Sequence, residues 1–387
     1  MPDARQLLRD HHGHESDKVA FIELFFDLVF VFAITQLSHS LIGHFSAEGA
    51  LQTTMLLLAV WWVWIFTTWV TNWLDPEKIP VRFLLLAMML LGLILSAALP
   101  QAFADKGLAF AGAYVLMQVG RSLFFLWAVK GNALMVRNFQ RILVWLAAGG
   151  IFWLAGAFLS GGSRVVLWGV ALAIEYVSPS LGFRVLGLGK TPADEWKVSG
   201  HHIAERCGLF IIIALGESIL VTGATLSGLP WNAPTVTAFV VSVVGSIAMW
   251  WLYFDTASEF GSRKISASEN PGALARLAYT YLHLFLVAGI IVTAAADEFV
   301  LAHPSGHSDL KTTVCLLGGA GLYLLGNFLF KWAIRGQAPV SHLLGIAVLG
   351  LLVPAASHLE PWLLSAAVTV VLIALAAWEK HARCLAG

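Results

Sequence analysis

Long apolar stretches separated by short polar ones recur along the whole chain. A membrane-spanning helix needs about 20 mainly apolar residues, and this criterion divides the sequence into twelve segments. The predicted segments are 19–41, 50–72, 81–100, 108–130, 139–159, 164–183, 204–226, 234–255, 274–298, 312–334, 340–358 and 361–381. The pattern therefore predicts an all-α fold, a polytopic membrane protein with about 12 transmembrane helices.

The amino-acid composition supports this class of protein. Of the 387 residues, 58% are hydrophobic and 12% are charged, whereas a soluble globular chain has about 45–50% apolar and about 25% charged residues. The formal net charge is zero and no Lys/Arg cluster interrupts the sequence, which excludes a basic nucleic-acid-binding protein. The expected partner is the lipid bilayer, and no nucleic acid is expected to bind.

The distribution of Lys and Arg predicts the orientation of the chain. If the N-terminus is cytoplasmic, 18 of the 23 Lys and Arg residues fall on the cytoplasmic side, Lys331 among them, and three fall on the other side. The remaining two, Arg121 and Arg206, lie inside predicted helices. Because positive charge accumulates on the cytoplasmic side, both termini are expected in the cytoplasm. The polar N-terminus lacks the short apolar region of a signal peptide, and none is expected.

The two halves of the sequence resemble each other. The stretch SLFFLWAVKG (122–131) matches NFLFKWAIRG (327–336) at a shift of 205 residues, and Glu175 matches Glu379 at a shift of 204. Each half has six segments, so duplicated halves would form two parallel six-helix repeats, an arrangement known among secondary transporters. Chance matching among Leu- and Phe-rich helices is the alternative. The regions expected from duplication are a cytoplasmic N-terminal tail (1–18), a first membrane repeat (19–183), a central cytoplasmic linker (184–203), a second membrane repeat (204–381) and a C-terminal tail (382–387).

Five of the acidic residues inside the predicted helices are candidates for a functional role: Glu23, Asp27, Glu175, Glu205 and Glu217. An ionised side chain at the centre of a bilayer costs about 2.5–3.5 kcal/mol, so these groups must face the protein interior or be protonated. Glu23 and Asp27 are four residues apart and share a helix face. They are either a proton- or cation-handling pair or a polar packing cluster that Arg121 or Arg206 neutralises.

Histidines introduce a question of metal binding. His201 and His202 precede Glu205 by four and three residues, a spacing at which the three side chains can reach one side of a helix. They form either a weak metal-site candidate or an interfacial hydrogen-bonded cluster. The sequence HHGH (11–14) either binds a metal or belongs to a solvated tail. The three cysteines lack CxxC spacing, so neither a disulfide framework nor a zinc site is expected.

Two aromatic runs end predicted helices, WWVWIFTTWVTNW (61–73) and MWWLYFD (249–255). Trp and Tyr are enriched where membrane and water meet, and this favours an interpretation as interfacial belts. The alternative is an aromatic wall that lines a pocket for an apolar or cationic ligand.

The motifs ELFFDLVFVFAITQLSH (23–39) and ERCGLFIIIALGESIL (205–220) resemble the bacterial low temperature requirement A family. The resemblance covers nearly the whole chain and implies the twelve-span architecture, in a bacterial cytoplasmic (inner) membrane. By this similarity the signature positions of the family are Glu23, Asp27, His39, Glu205, Arg206, Gly216 and Glu217. The name of the family refers to growth in the cold and implies no settled chemistry.

Three functions fit these features. The first is a secondary transporter, with or without proton coupling, of a small organic or lipid-like solute. The second is an intramembrane enzyme, in which a carboxylic acid protonates an apolar prenyl or terpenoid lipid and aromatic faces stabilise a carbocation. The third is a non-catalytic membrane factor for growth in the cold. No catalytic residue or cofactor is assigned, and the candidate substrate- or proton-binding residues are Glu23, Asp27, His39, Arg121, Glu175, Glu205, Arg206 and Glu217.

Overall fold

A computed structural model describes residues 7–9, 18–191, 198–255, 268 and 270–386 of the chain. Across these ranges the regular structure is helical, with two isolated β-bridges and no strand. The long helices among the described residues are α1 (Phe21–Gly43), α2 (Ala47–Trp73), α3 (Ile79–Ala98), α4 (Gly107–Ala128), α5 (Ala133–Ala157), α6 (Gly161–Val177), α7 (Gly200–Ser227), α8 (Ala233–Phe254), α9 (Pro271–Ala302), α10 (Leu310–Arg335), α11 (Val340–Ala356) and α12 (Pro361–Ala386). Each predicted segment corresponds to one of these helices.

Ten of these helices are long and apolar enough to cross a membrane. The other two, α6 and α11, have 17 residues each, which is the lower limit of about 17–25 residues for a spanning helix. The predicted class, an all-α polytopic membrane protein, is confirmed. The parallel repeats and the five regions expected from them stay a prediction.

The first of two compact units contains Met1–Ser40, Ser46–Ile203 and Glu269–Ala273. Its helices α3 to α6 pack in sequence, each against the next, and α2 lies against α4 and α6. The protein encloses α2, since 83% of its central apolar stretch is buried, a larger share than in any other spanning helix described. A polar group on α2 is therefore held in the interior of this unit.

The second unit contains Leu41–Phe45, Ala204–Ser268 and Leu274–Gly387. Its helices α9 to α12 pack in sequence, and α8 lies against α9 and α12. Helix α9 approaches α10 closely because Gly289 has no side chain: a Cβ atom at this position would lie 2.5 Å from the backbone nitrogen of Tyr323. Both units thus pack their last four helices in sequence and place the second helix against the sixth.

The aromatic run of α2 lies inside the protein. Trp61, Trp62 and Trp64 are almost completely buried, and Trp69 and Trp73 are buried as well. The interpretation of this run as an interfacial belt is therefore wrong, because a helix enclosed by its own unit presents its indole rings to neighbouring helices. The run on α8 is different, since its Trp250 and Trp251 are exposed, as expected for residues of a belt.

Candidate functional site

Four buried polar side chains interrupt the apolar surface of α2 near its C-terminal end. Thr67, Thr68, Thr71 and Asn72 are each at most 1% exposed. They lie in residues 63–72, the α2 polar segment, which extends for about 14 Å at about 1.5 Å per residue. Side chains from the N-terminal tail, α1, α4 and the first turn of α7 bind this segment.

Asp27 reaches the α2 polar segment from α1. Its side chain is completely buried, and Trp64 Nε1 donates a hydrogen bond of 2.8 Å to its Oδ1 atom. Burial of a carboxylate is costly unless donors such as this indole N–H solvate it. The tryptophan of the aromatic run therefore positions an acid, which is a different task from anchoring the helix at the membrane surface.

Arg121 reaches the segment from α4. Its Nη1 atom donates hydrogen bonds to the backbone oxygen of Val63 at 3.1 Å and to Thr67 Oγ1 at 3.0 Å. The guanidinium also lies over the Phe66 ring, with its Cζ atom 5.5 Å from the ring centroid. Arg121 is thus held on α2 by polar and aromatic contacts together.

A chain of hydrogen bonds connects Arg121 with Glu175 of α6. Arg121 Nη2 donates to Gln118 Oε1, Gln118 Nε2 donates to the Tyr114 hydroxyl at 3.1 Å, and Tyr114 donates to Glu175 Oε2. The second carboxylate oxygen, Oε1, accepts a hydrogen bond of 3.0 Å from Trp153 Nε1 on α5. All five side chains are buried, so this chain links a cation and an acid through the interior formed by α4, α5 and α6.

Glu23 binds Arg9, which lies in the N-terminal tail. Arg9 Nη2 lies 2.8 Å from Glu23 Oε2, and both side chains are buried. Arg9 Nε also donates a hydrogen bond of 2.7 Å to the backbone oxygen of Thr71, so the same guanidinium contacts the α2 polar segment. Glu23 thus has a cationic partner, Arg9, that the sequence did not predict, and the tail folds back so that the Arg9 backbone N–H donates a hydrogen bond of 2.8 Å to the backbone oxygen of Trp73.

His202, in the first turn of α7, completes this cluster. Its Nε2 atom lies 3.0 Å from Glu23 Oε1 and 3.1 Å from Arg9 Nη2. Its Nδ1 atom lies 3.2 Å from Asn72 Nδ2, the same nitrogen that donates to the backbone oxygen of Ser199 at 2.9 Å. An imidazole beside a carboxylate can exchange a proton with it, while the guanidinium and the amide hold the ring in place.

The remaining predicted residues have different environments. His39 is exposed, because Ser38 faces the interior and the next residue is rotated by about 100° around the helix. In α7, Arg206 and Glu217 are buried, and Glu205 is half-buried. The acids Glu23, Asp27, Glu175 and Glu217 lie inside the protein, whereas His39 lies at its surface. The functions proposed for these residues stay predictions.

The proposed His–Glu metal cluster does not form among the described residues. His201 is exposed, whereas His202 is buried against Glu23. Throughout the described ranges, no group of three or more His, Cys, Asp or Glu side chains is arranged to hold a metal ion. The histidines of the N-terminal tail, His11, His12 and His14, lie outside the described residues.

A separate charged cluster lies in the second unit around Glu379 of α12. Lys331 Nζ lies 2.6 Å from Glu379 Oε2, while Ser341 Oγ and His342 Nδ1 each lie 3.1 Å from Glu379 Oε1. Lys331, which was counted among the residues of the cytoplasmic side, has a side chain that is 1% exposed and is held inside the protein by this ion pair. Glu379 and Glu175 each bind donors from the two preceding helices of their units, but these donors do not occupy matching sequence positions.

Several residues of these clusters were not predicted as site residues: Arg9, Asn72, Gln118, Tyr114, Trp153 and Lys331. For α2, a usable signal was present, since three threonines and an asparagine occur within the six residues TTWVTN (67–72) of an apolar stretch. Arg9 has no comparable signal, because its partner His202 lies 193 residues further along the chain. Asp297 of α9 is a further buried acid that was not predicted. It occurs near the end of a predicted segment, where an acid is commonly solvated.

The described part of the chain thus forms a polytopic helical membrane protein with buried, paired ionisable groups in its helices. Residues 18–377 match the model of the family described as bacterial low temperature requirement A protein (LtrA), and the chain belongs to this family. It is also 40% identical to a protein of Rhizobium meliloti (strain 1021) described as uncharacterized protein RA0937, over 97% of this chain and 95% of that protein. No solved structure matches the chain.

Proposed function

We propose that this protein is a secondary transporter of a small organic or lipid-like solute, coupled to protons. The observation that carries the proposal is the charge system around the α2 polar segment. Glu23, Asp27, Arg121 and Glu175 are each at most 1% exposed. Contacts with α2, or the chain of hydrogen bonds through Gln118 and Tyr114, connect them with partners on other helices.

The stability of the helices alone does not explain why these charged side chains are buried. Replacing a buried ion pair by well-packed apolar residues is often neutral or stabilising by about 1–4 kcal/mol. Inside membrane proteins, ionisable groups typically mark ion or substrate pathways and proton relays. The charge system on α2 therefore supports transport better than it supports a packing role.

In this proposal, Glu175 is the group that binds and releases the coupling proton. A protonated carboxyl group is a donor at one oxygen, so a proton that binds Glu175 at Oε2 makes the hydrogen bond from Tyr114 to this atom reorganise. Gln118 transmits this change to Arg121, whose guanidinium holds Val63 and Thr67 of α2. Proton binding is thereby coupled to the contacts that hold the central helix of the first unit.

The proposed location follows from the charge distribution. The excess of Lys and Arg on one set of connecting segments favours a cytoplasmic position for both termini in the bacterial inner membrane. Labelling of single cysteines introduced into the segments that connect the helices, in whole cells and in inverted vesicles, tests this orientation independently of transport.

Proton flux in liposomes tests the function. The full-length protein is reconstituted with pyranine trapped inside, and ethidium, tetraphenylphosphonium, benzoate and glycine betaine are added separately. We expect at least one solute to change the internal pH only when protein is present, and Glu175→Gln to abolish the change. Glu48→Gln, at an exposed position of α2, is the matched control and keeps the response.

Two results would overturn the proposal. The first is a lack of pH response to every solute, or a full response in Glu175→Gln and in Tyr114→Phe, which keeps the aromatic packing should the first variant fail to fold. The second is conversion of an added prenyl alcohol such as farnesol to a new product by the protein in detergent, without a gradient, which would replace transport by the intramembrane enzyme.

A further inference from the structure

The second unit contains a buried group of oxygen atoms that the proposed function does not use. Asp297 of α9, Ser218 of α7, and Ser242 and Ser246 of α8 are all buried. One carboxylate and three hydroxyl groups therefore meet where three helices of this unit come together. Nitrogen and sulfur donors do not contribute to the group.

The distances between these oxygens are longer than in direct hydrogen bonds. Ser218 Oγ lies 3.4 Å from Asp297 Oδ2 and 3.4 Å from Ser246 Oγ, whereas direct O–H···O bonds are commonly about 2.7–2.8 Å long. The Ser242 hydroxyl lies beside the Asp297 carboxylate, yet it has no hydrogen-bond partner among the described residues. Buried hydroxyl groups normally have a hydrogen-bond partner, so this arrangement indicates that a small species binds between the four oxygens.

We propose that Asp297, Ser218, Ser242 and Ser246 form a binding site for Na⁺. Ca²⁺ has nearly the ionic radius of Na⁺ and binds oxygen atoms at about 2.4 Å. Two oxygens that bind such a cation at right angles to each other are about 3.4 Å apart. Around Mg²⁺, the same calculation gives about 2.9 Å. The larger K⁺ ion would hold its oxygens further apart.

Charge selects Na⁺ over Ca²⁺ at this site. Asp297 supplies one negative charge, which a monovalent ion neutralises, whereas a divalent ion would leave an uncompensated positive charge in the dry interior. An all-oxygen ligand set also disfavours transition metals, which prefer imidazole or thiolate ligands. The inference goes beyond the proposed function, because the site lies within the second unit and its occupancy can be measured without transport.

Thermal unfolding of the full-length protein in detergent tests the site. NaCl is titrated against KCl and against choline chloride at constant ionic strength. An ion that binds the folded state alone stabilises it in a saturable way, so we expect the melting temperature to rise with Na⁺ and not with K⁺ or choline.

Two variants and a control assign the effect to this site. Asp297→Asn is expected to remove the difference between Na⁺ and K⁺. Ser242→Ala sacrifices no hydrogen bond of the described structure and should raise the Na⁺ concentration for half-maximal effect by roughly three- to tenfold, the loss expected for one neutral ligand. Asp105→Asn, at an exposed position in the first unit, should leave the Na⁺ response unchanged.

Equal melting temperatures in NaCl and KCl would overturn the inference. A rise in melting temperature on acidification without any preference for Na⁺ would do the same, since it assigns a proton to Asp297 in place of a metal ion. If Asp297→Asn fails to fold, Ser242→Ala decides the question, and an unchanged Na⁺ response in that variant contradicts the site.

Discussion

The guanidinium of Arg9 lies 2.8 Å from the carboxylate of Glu23, and both side chains are buried. This pair attaches the N-terminal tail to α1, while the contact of Arg9 with Thr71 attaches it to α2. The segment before the first helix is therefore part of the folded first unit at Leu7, Leu8 and Arg9, where the backbone also pairs with Trp73 and Asp75.

Loss of Arg9 should destabilise the first unit. Arg9→Ala leaves Glu23 buried without its guanidinium, and breaking a buried ion pair costs roughly 3–5 kcal/mol. Partial compensation by His202, 3.0 Å from the same carboxylate, places the expected loss at about 3 kcal/mol. Urea unfolding in mixed micelles measures it. Arg82→Ala removes the exposed pair with Glu77 and should cost at most about 1 kcal/mol; equal effects of the two substitutions would contradict the buried pair.

A side chain at Gly149 should disturb Glu175. A Cβ atom on Gly149 would lie 2.9 Å from Glu175 Oε1, so Gly149→Ala must displace the carboxylate and is expected to cost about 1–3 kcal/mol. At Gly112 of α4 no atom of the described residues lies within 4 Å of a Cβ atom placed there, and alanine at this position should stabilise the helix by up to about 1 kcal/mol. We expect the melting temperature to fall in Gly149→Ala and to rise in Gly112→Ala. A rise in both variants would show that Glu175 has room to move.

The ion pair of the second unit should show strong coupling between its partners. Lys331→Met leaves Glu379 with Ser341 and His342 and should cost about 3 kcal/mol, whereas the double variant with Glu379→Met should recover more than half of the loss. Denaturant unfolding of the two single variants and the double variant gives the coupling energy. Additive losses would refute the pairing, and Lys130→Met, at an exposed position of the first unit, serves as the control with little effect.

Asp309 caps α10 and should contribute a pH-dependent part of the stability. Burial raises the pKa of Asp309, but hydrogen bonds from Thr312 and the charge of Lys311 lower it more, so the net pKa lies below its ordinary value. The pKa of Asp309 is lower in the folded than in the unfolded state. The stability that this carboxylate contributes is therefore complete above its unfolded-state pKa and disappears as the pH falls through its folded-state pKa. Asp309→Ala should thus cost about 0.5–2 kcal/mol at neutral pH and progressively less in acid, as unfolding measured over a pH series will show; a constant difference would exclude the cap.

The sequence predicted the helices well and their contacts poorly, for a physical reason. Apolar stretches of about 20 residues are local features, so α1 to α12 could be located from composition alone. The energetic cost of a buried charge also indicated that Glu23 and Asp27 face the interior. Their partners depend on tertiary structure, since His202 lies 179 residues from Glu23 in the chain, and no local pattern predicts such a contact.

The tryptophans of α2 show the same limitation, because their environment also depends on tertiary structure. An indole ring suits both a membrane interface and a protein interior, so the run 61–73 alone does not distinguish the two. The buried threonines and Asn72 could have indicated the interior, because polar groups in an apolar helix need partners that lipid does not provide. His39 illustrates a further limit, since a helix position one residue away from a buried serine faces a different direction.

The two 17-residue helices set a condition on the surrounding lipid. At about 1.5 Å per residue, α6 and α11 are about 26 Å long, shorter than the hydrocarbon core of about 30 Å. Where these helices span the bilayer, the acyl chains next to them must compress, or the flanking side chains must extend toward the headgroups, at a cost of a fraction of a kcal/mol per ångström. A bilayer that thickens as its acyl chains order on cooling increases this mismatch, so the thickness of the membrane acts directly on the stability of these two helices.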